Sequence, residues 1–289
     1  MFAIALKQDQ YKTYLLSDQL AQSQLEVVPE RGGIITRWSI RGHDILYLDA
    51  ERFADPTLSV RGGIPILFPI CGNLPDNTYS HNGQAYTLKQ HGFARDLPWE
   101  VSDRITQGSV GLTLTLRSNE QTRAVYPFDF VLNFTYRLQG STLTLHQQVI
   151  NESSEPMPFA IGLHPYFAVA DKSKLSFDIP ATELQSHRDY STHYFNGQFD
   201  FDSDEIDVIF HSPSRQTSAV TDGDRHLRLQ LSYEPPYSKL VFWTLKGKDF
   251  YCLEPWSAPR NAINTGQHLS LLQPGDRLDT QVTLAVAVS

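Results

Sequence analysis

The stretch from 250 to 261, Phe-Tyr-Cys-Leu-Glu-Pro-Trp-Ser-Ala-Pro-Arg-Asn, holds the residue with the clearest chemical potential, Glu254. The stretch begins as an apolar, aromatic run of strand type and places Glu254 directly before a rigid Pro-Trp turn. Alternation along a strand predicts that Phe250, Cys252 and Glu254 share one face. A carboxylate among apolar neighbours is costly unless it is paired or hydrogen-bonded. Glu254 is therefore either a strand-end residue that points to solvent or a general base held in an aromatic cleft.

A second segment, 60–74, encloses an apolar run between two glycines and two prolines. Restricted φ angles, rather than a ladder of hydrogen bonds, therefore fix its backbone. Arg61 stands directly before Gly62 and Gly63. It is either an ordinary exposed residue or a planar donor fork aimed at a sugar oxygen or a phosphate, with the glycines allowing close approach.

A third segment, 89–99, crowds an amide, an imidazole, a guanidinium and a carboxylate together with two aromatic residues. These polar groups belong to Gln90, His91, Arg95 and Asp96. Polar side chains beside aromatic faces suit carbohydrate, whose CH faces stack and whose hydroxyls need bidentate partners. The alternative is a loop held together by its own hydrogen bonds.

His164 lies in a fourth segment, the otherwise apolar run 159–167, which follows a proline-rich turn. A lone histidine in such a run is more often a structural residue than a catalyst. Pro165 cannot donate to a ladder, so the pattern predicts an edge, a bulge or a strand end, where a side chain can be re-aimed.

Short strands must position these segments. Strand signals recur at 13–16, 24–28, 34–40, 45–48, 110–116, 131–138, 142–150, 227–231, 240–245 and 280–288. No window shows sustained helical periodicity, and 53–58 is a helical turn at most. Many short strands together with 17 Gly and 17 Pro predict an all-β sandwich or barrel. We expect one large β domain over residues 1–289, with the functional groups on loops and strand ends.

Composition excludes several classes of function. The 289 residues are 40% hydrophobic and 19% charged, which is typical of a soluble globular chain. The net charge of −8 argues against a nucleic-acid partner and an anionic membrane, but not against a phosphorylated small molecule, which needs only local arginines. No signal peptide or membrane-spanning run is evident. Cys71 and Cys252 form no disulfide framework, so we expect a cytoplasmic location and two small buried hydrophobes.

Other catalytic chemistries fit the motifs less well. Gly-x-Ser-x-Gly is absent, as are a Walker loop and Gly-x-Gly-x-x-Gly. The ten histidines form no His-x-His or His-Glu-x-x-His pair, so a metal site would need tertiary convergence of distant residues. A glycosidase would need two catalytic carboxylates. The functional segments supply one Glu and two His instead, which suits proton transfer at two oxygens of one substrate.

Four motifs together resemble the aldose 1-epimerase (galactose mutarotase) superfamily. They are Arg-Gly-Gly-Ile-Pro at 61–65, His-Gly-Phe-Ala-Arg at 91–95, Leu-His-Pro-Tyr-Phe at 163–167 and Leu-Glu-Pro at 253–255. The resemblance covers nearly the whole chain in the same order. It implies a galactose mutarotase-like β-supersandwich in one domain, with an open concave cleft and no cofactor. The implied activity is interconversion of the α and β anomers of a sugar.

The resemblance also implies roles for individual residues. Glu254 resembles the general base that takes the proton from the anomeric C1 hydroxyl. His164 resembles the general acid that protonates the ring oxygen. We expect this pair to be most effective with His164 cationic and Glu254 ionised. His91 resembles the second histidine of the family, which polarises the ring-oxygen region.

The remaining candidates are substrate-binding residues. Arg61, Gln90 and Arg95 match positions that bind substrate in the hexose-6-phosphate branch, and Asp207 is a weaker match to an acidic ligand for sugar hydroxyls. We expect Trp256 to form a stacking wall and Arg260 to be either a further positive group at the cleft or a surface arginine.

The branch of the family stays open between two resemblances. Arg-Gly-Gly-Ile-Pro resembles the hexose-6-phosphate epimerases, whereas 77–91 resembles a bacterial mutarotase-like branch. Residues 70–74 depart from the first branch, which continues Phe-Pro with another aromatic residue. The substrate is therefore a hexose or a hexose 6-phosphate. The alternative function is a non-catalytic sugar-binding or sugar-sensing protein on the same scaffold, and the sequence does not indicate an oligomeric state.

Overall fold

Antiparallel β-sheets make up most of the protein, in a computed structural model that describes residues 1–288. The first strands are β1 (Phe2–Gln8), β2 (Lys12–Asp18), β3 (Ser23–Val28), β4 (Ile34–Ile40) and β5 (His43–Asp44). The middle strands are β6 (Ile66–Leu67), β7 (Thr78–His81), β8 (Gln84–Thr87), β9 (Glu100–Ile105), β10 (Val110–Arg117), β11 (Phe130–Gln139) and β12 (Thr142–Asn151). The later strands are β13 (Met157–Phe159), β14 (Gly162–Leu163), β15 (Tyr166–Ala168), β16 (Leu175–Asp178), β17 (Glu183–Ser186), β18 (Thr192–Tyr194), β19 (Glu205–Phe210), β20 (Thr217–Asp222), β21 (Leu227–Tyr233), β22 (Lys239–Leu245), β23 (Phe250–Trp256), β24 (Ser270–Leu272) and β25 (Arg277–Val288).

Helices are short. The α-helices are α1 (Ala50–Ala54), α2 (Glu120–Val125) and α3 (Ala262–Thr265), and the 3₁₀ turns are Pro75–Asn77, Ala94–Asp96 and Lys172–Lys174. None of the helices in residues 1–288 is long and apolar enough to cross a membrane.

Three large sheets carry most of the strands. The first has the order β1-β2-β3-β4-β5, and the second has the order β16-β20-β21-β25-β12-β11-β10-β9. The third, which we call the site sheet, has the order β18-β17-β19-β22-β23-β14-β6, with β15 also pairing β23. Every paired strand in these sheets is antiparallel to its neighbour.

Alternating side chains build the core between the sheets. In β12, Leu143, Leu145 and Val149 are buried. Burial of each such side chain stabilises the fold by about 1.5–3 kcal/mol. Phe68 packs against four further aromatic rings beside this sheet, those of Phe93, Tyr126, Phe130 and Phe159. The period-two pattern of the sequence therefore predicts the inward face correctly.

One local prediction was wrong, and another was placed a few residues too late in the chain. Segment 45–48 is not a regular strand, because Leu46 and Leu48 make single bridges to Phe167 and Gly62 as the chain passes to the site sheet. The helical turn predicted at 53–58 lies earlier, as α1. That helix begins where the side chain of Asp49 accepts a hydrogen bond from the backbone N–H of Arg52. Asp49 is the N-cap of the helix and lies before the segment predicted to be helical.

Gly63 lets the segment before β6 lie against β4. Its φ of +62° lies in the left-handed region, and an added Cβ would come within 2.3 Å of the carbonyl oxygen of Ile35. Gly42 offers a matched contrast, because its φ is +83° and an added Cβ would meet nothing within 4 Å. Both positions require glycine for its backbone conformation, but only Gly63 requires it for space.

We predict that Gly63→Ala lowers the free energy of unfolding by considerably more than Gly42→Ala. The control should cost about 1–2 kcal/mol for the left-handed conformation. Gly63→Ala should add a further ~1–3 kcal/mol for the clash. Urea denaturation of the two variants and the wild type measures the difference, and equal losses would contradict the assigned close approach.

Candidate functional site

Register in the site sheet places several candidate residues on one face. Asp207 in β19 pairs with Trp243 in β22, Trp243 pairs with Cys252 in β23, and Cys252 pairs with Tyr166 in β15. Directly paired residues of antiparallel strands point their side chains to the same side. Glu254 follows Cys252 by two residues and so points to that same side.

His164 lies opposite Glu254 because the strand beside β23 is interrupted without a change of register. Gly162 in β14 pairs with Trp256, and Tyr166 in β15 pairs with Cys252. Continuing that register across the break sets His164 against Glu254. The predicted common face of Cys252 and Glu254 is thus confirmed, and β14–β15 supplies the histidine from 90 residues earlier in the chain.

Pro165 occupies the break without leaving a strand donor unpaired. The backbone N–H groups of His164 and Tyr166 point away from β23 and donate to the carbonyl oxygens of Pro65 and Gly63, at 3.0 and 2.9 Å. The intervening residue would point its N–H toward β23, and proline has none. The predicted strand end at Pro165 is therefore a gap in the ladder directly beside the site.

Glu254 is almost fully buried, with 1% of its surface exposed. Its Oε1 lies 3.3 Å from His164 Nε2, and its Oε2 accepts a hydrogen bond of 3.0 Å from the indole N–H of Trp256. Both oxygens of the carboxyl group thus have a defined partner. The exposed strand-end residue considered for Glu254 is excluded by this burial.

The free site favours an uncharged pair. Burial raises the pKa of Glu254 well above its ordinary value, and the nearby charge of Asp207 raises it further. Burial lowers the pKa of His164 to about 3, and Arg95 adds to that effect. The expected resting state, a cationic His164 beside an ionised Glu254, is therefore opposed by desolvation. The sequence does not show how deeply the two side chains are buried.

His91 is fixed by reciprocal contacts with Gly72. The backbone N–H of Gly72 donates to His91 Nδ1 at 3.0 Å, and the backbone N–H of His91 donates to the carbonyl oxygen of Gly72 at 2.7 Å. Burial, together with the charge of Arg95, lowers the pKa of His91 well below its ordinary value. The neutral ring therefore carries its proton on Nε2. The ring lies edge-on to His164, with centroids 5.5 Å apart.

Asp207 is held from two sides. His187 Nδ1 lies 2.7 Å from Oδ1, and an Nη of Arg260 donates to Oδ2 at 2.7 Å. Burial alone would raise the pKa of Asp207, but the hydrogen bond from His187 and the charge of Arg260 lower it. His187 was not predicted, since no motif or spacing marks it. Arg260 lies at the cleft, one of the two alternatives that the sequence left open, and it is paired there rather than free.

Three arginines at the site lack a carboxylate partner within residues 1–288. The guanidinium of Arg61 lies 5.9 Å from the ring centroid of Trp243, and Arg52 Nε donates to the carbonyl oxygen of Ser59. Arg95 donates to the carbonyl oxygen of Gln90 at 2.8 Å, and its Nε is buried without a partner. No direct ion pair within the described residues therefore neutralises these three guanidinium groups.

All eight site residues predicted from the sequence line one cavity of about 350 Å³. They are Arg61, Gln90, His91, Arg95, His164, Asp207, Glu254 and Trp256. The volume falls in the range of small-molecule sites. The cavity is also lined by Arg52, Tyr166, Glu205, Val241, Trp243 and Arg260. Trp243 could have been found from the strand predicted at 240–245. Alternation along that strand puts Trp243 on the face opposite the core residues Leu240 and Phe242.

The stacking wall expected of Trp256 is wrong, because its ring is buried, and the two tryptophans of the cavity have different roles. Trp256 is buried, donates to Glu254 and stacks on His187 with ring centroids 5.9 Å apart, so it holds the carboxyl group in place. Trp243 is only partly buried, and its N–H donates to Oε1 of Glu205 at 2.7 Å, which fixes the plane of the ring. The aromatic surface that a ligand can reach in this cavity is that of Trp243.

Comparisons with known proteins agree with the fold. The family model for aldose 1-epimerase matches residues 14–285. The solved structure of the Slr1438 protein from Synechocystis sp. PCC 6803 is 44% identical, with a TM-score of 0.96 over 100% of both chains. A galactose mutarotase-like protein from Clostridium acetobutylicum is 18% identical, with a TM-score of 0.86 over 100% of this chain and 99% of that one. The predicted galactose mutarotase-like all-β fold is confirmed.

A Cenchrus ciliaris protein named "Putative glucose-6-phosphate 1-epimerase" is 26% identical over 286 residues, which span 89% of this chain and 80% of its own.

We predict that Glu254→Gln stabilises the protein increasingly as pH rises. Because the folded-state pKa of Glu254 is raised, the wild type is most stable below the ordinary glutamate pKa and loses stability as pH rises toward the folded value. Glutamine does not titrate, yet its carbonyl oxygen can still accept from Trp256. The melting temperature of the variant should gain on that of the wild type between about pH 5 and pH 8.

Glu183→Gln, at an exposed position of β17, controls for the loss of one carboxylate. A difference between Glu254→Gln and the wild type that stays constant over this pH range would contradict the raised pKa.

Proposed function

The chain belongs to the aldose 1-epimerase family, and we propose that it interconverts the α and β anomers of a hexose or hexose 6-phosphate. The observation that carries this proposal is the facing pair of His164 and Glu254, 3.3 Å apart in the wall of a cavity. The anomeric carbon of a pyranose bonds two oxygens, the C1 hydroxyl and the ring oxygen. An acid and a base this close can each reach one of them.

Ring opening and ring closure would use the pair in opposite directions. Glu254 takes the proton of the C1 hydroxyl while His164 delivers a proton to the ring oxygen. The electron pair of the C1–O5 bond goes to the ring oxygen, and a C1 carbonyl forms. The aldehyde turns about the C1–C2 bond and recloses with the roles reversed. Each partner would contribute about a hundred- to ten-thousand-fold.

The neutral resting pair is compatible with this chemistry because it holds the required number of protons. A protonated Glu254 beside a neutral His164 holds the same number of protons as an ionised Glu254 beside a cationic His164. Transfer of one proton between Oε1 and Nε2 converts one form into the other without exchange with solvent. Arg260 and Arg95 both favour the ionised form of Glu254.

The surrounding groups would orient the sugar. His91 can donate its Nε2 proton toward the ring-oxygen region. Asp207 accepts from His187 and Arg260, and each of its oxygens keeps a second lone pair for a sugar hydroxyl. Trp243 offers its partly exposed ring to the apolar face of the sugar.

The positive charge of the cavity favours a phosphorylated substrate. Arg52, Arg61 and Arg95 line the cavity without carboxylate partners in residues 1–288, in a chain whose net charge is −8. Guanidinium groups bind phosphate through paired hydrogen bonds as well as charge. A cytoplasmic location, expected from the sequence, fits this substrate class and the two free cysteines.

We predict that Glu254→Gln and His164→Asn each lower the rate of anomer exchange at least about a hundredfold while the fold is retained. Each substitution removes one proton-transfer group and keeps a side chain of similar size. NMR exchange on fresh α-glucose, α-galactose and α-glucose 6-phosphate measures the rate, and circular dichroism checks the fold.

His146→Asn, on β12 and remote from the cavity, should behave as the wild type. An unchanged rate in either site variant would remove that residue from the mechanism. Sugar binding by the wild type without any anomer exchange would instead identify a sugar-binding or sugar-sensing protein.

We predict that the wild type prefers glucose 6-phosphate to glucose and that Arg95→Ala loses this preference. A charged hydrogen bond contributes about 1.5–3 kcal/mol, so kcat/KM for the phosphorylated sugar should fall roughly 10- to 150-fold. The value for glucose should change less, and only through the effect of Arg95 on the pKa values of His164 and Glu254. Arg95→Lys keeps the charge without the planar donor fork. Its kcat/KM for glucose 6-phosphate should lie between those of the wild type and Arg95→Ala.

Arg137→Ala, at an exposed position of β11, serves as the matched control for the loss of one arginine. Equal kcat/KM values for glucose and glucose 6-phosphate in the wild type would contradict recognition of the phosphate group.

A further inference from the structure

Cys252 completes a three-residue cluster with the acid–base pair. One ligand atom from each of His164, Cys252 and Glu254 lies within 4.8 Å of the other two, and all three residues are buried. Two of these atoms, His164 Nε2 and Glu254 Oε1, are 3.3 Å apart. Atoms bound to the same tetrahedral zinc ion are separated by about 3.3–3.8 Å. The pair already has that spacing, and no two ligand atoms of the cluster are more than 4.8 Å apart.

The strand register accounts for the cluster. Cys252 and Glu254 are two residues apart on one face of β23, and His164 approaches from the interrupted strand opposite them. His164 Nδ1 is buried and has no hydrogen-bond partner, so no donor in residues 1–288 opposes a proton on that nitrogen. The ring can therefore keep a proton on Nδ1 and present the lone pair of Nε2 to a cation.

The donor set selects a particular kind of cation. A thiolate, an imidazole nitrogen and a carboxylate oxygen are the ligands that Zn²⁺ takes in proteins. Soft thiolate ligands also select against Mg²⁺ and Ca²⁺. His164 and Glu254 line the cavity, whereas Cys252 does not and has 0% of its surface exposed. A cation would enter through the cavity and keep its fourth coordination position on the sugar side.

Charge balance favours such a cation in this buried place. A divalent cation with one thiolate, one carboxylate and a neutral imidazole has no net charge. Such a complex leaves no uncompensated buried charge among these three residues. The charged groups around the cluster are Asp207, Arg95, Arg260 and Lys172.

We propose that a thiophilic divalent cation such as Zn²⁺ binds to Cys252, Glu254 and His164 and thereby switches the acid–base pair off. The bound cation takes the carboxylate oxygen that would accept the sugar proton and the imidazole nitrogen that would deliver one. The cation site stands independently of the proposed epimerase activity, whereas the inhibition rests on it. The established contacts of the pair do not require the thiol, so Cys252 is not needed for catalysis.

The site is tested by titration of the full-length protein with Co²⁺, which replaces Zn²⁺ and gives a near-ultraviolet absorption band when a thiolate binds it. The wild type should show the band with one Co²⁺ per chain. Cys252→Ser should abolish it, and Cys71→Ser should retain it, because Cys71 is the only other cysteine and is equally buried. Glu254→Gln should weaken Co²⁺ binding at least about tenfold without touching either thiol.

Absence of the band from the wild type would refute the cation site. Its loss in Cys71→Ser, or its retention in Cys252→Ser, would refute the assignment of Cys252 as the thiolate ligand. Glu254→Gln covers the case in which Cys252→Ser fails to fold.

Inhibition is tested separately with Zn²⁺ and EDTA. Enzyme treated with EDTA should be fully active, and Zn²⁺ should inhibit it in competition with the sugar. Cys252→Ser should need at least about tenfold more Zn²⁺ for half inhibition. Loss of activity in EDTA would overturn the inhibitory role and identify the cation as a cofactor. A wild type that binds Co²⁺ but never exchanges anomers would refute the epimerase proposal and leave the cation site intact.

Discussion

The pairing of the segment 162–168 with β23 is the constraint on which the rest of the site depends. Gly162 against Trp256 and Tyr166 against Cys252 fix one register on both sides of Pro165. Within that register His164 has only one position, opposite Glu254. Because a shift by one residue would turn every side chain to the other face, the register must be held by contacts outside the pair. The backbone bonds to Pro65 and Gly63 supply them, and the close approach at Gly63 makes them reachable.

Contacts around the acid–base pair form a closed circuit. In order, they join Glu254, Trp256, His187, Asp207, Arg260, Gly72, His91 and His164, and the last of these faces Glu254 again. Gly72 belongs to the circuit because an added Cβ would lie 2.2 Å from Cγ of Arg260. Every member thus has two neighbours that restrict it. The side chains are therefore positioned before a ligand arrives, which reduces the ordering that binding must produce.

The sequence predicts the parts of this arrangement that follow from local periodicity. Alternation suffices to put Cys252 and Glu254 on one face, and the missing N–H of Pro165 suffices to mark a break in a ladder. It does not predict which strand lies opposite Glu254, since that pairing joins segments 90 residues apart. His187 belongs to no sequence motif. Its position depends on the register of β17, which continues one residue further and sets His187 against Asp207. Segment 45–48 has strand composition but makes only isolated bridges, because it passes between two sheets.

The protonation state of the pair is the property furthest from the sequence, because it depends on how deeply both groups are buried. Two ordinary surface groups of these types would form an ion pair near neutral pH. Burial opposes both charges and favours the neutral pair, which holds the same number of protons as the ion pair. Desolvation thus sets the cost of the charge-separated form without changing the number of protons that the site holds. Polar groups placed next to Glu254 and His164 lower that cost, because they replace part of the solvation that burial removes.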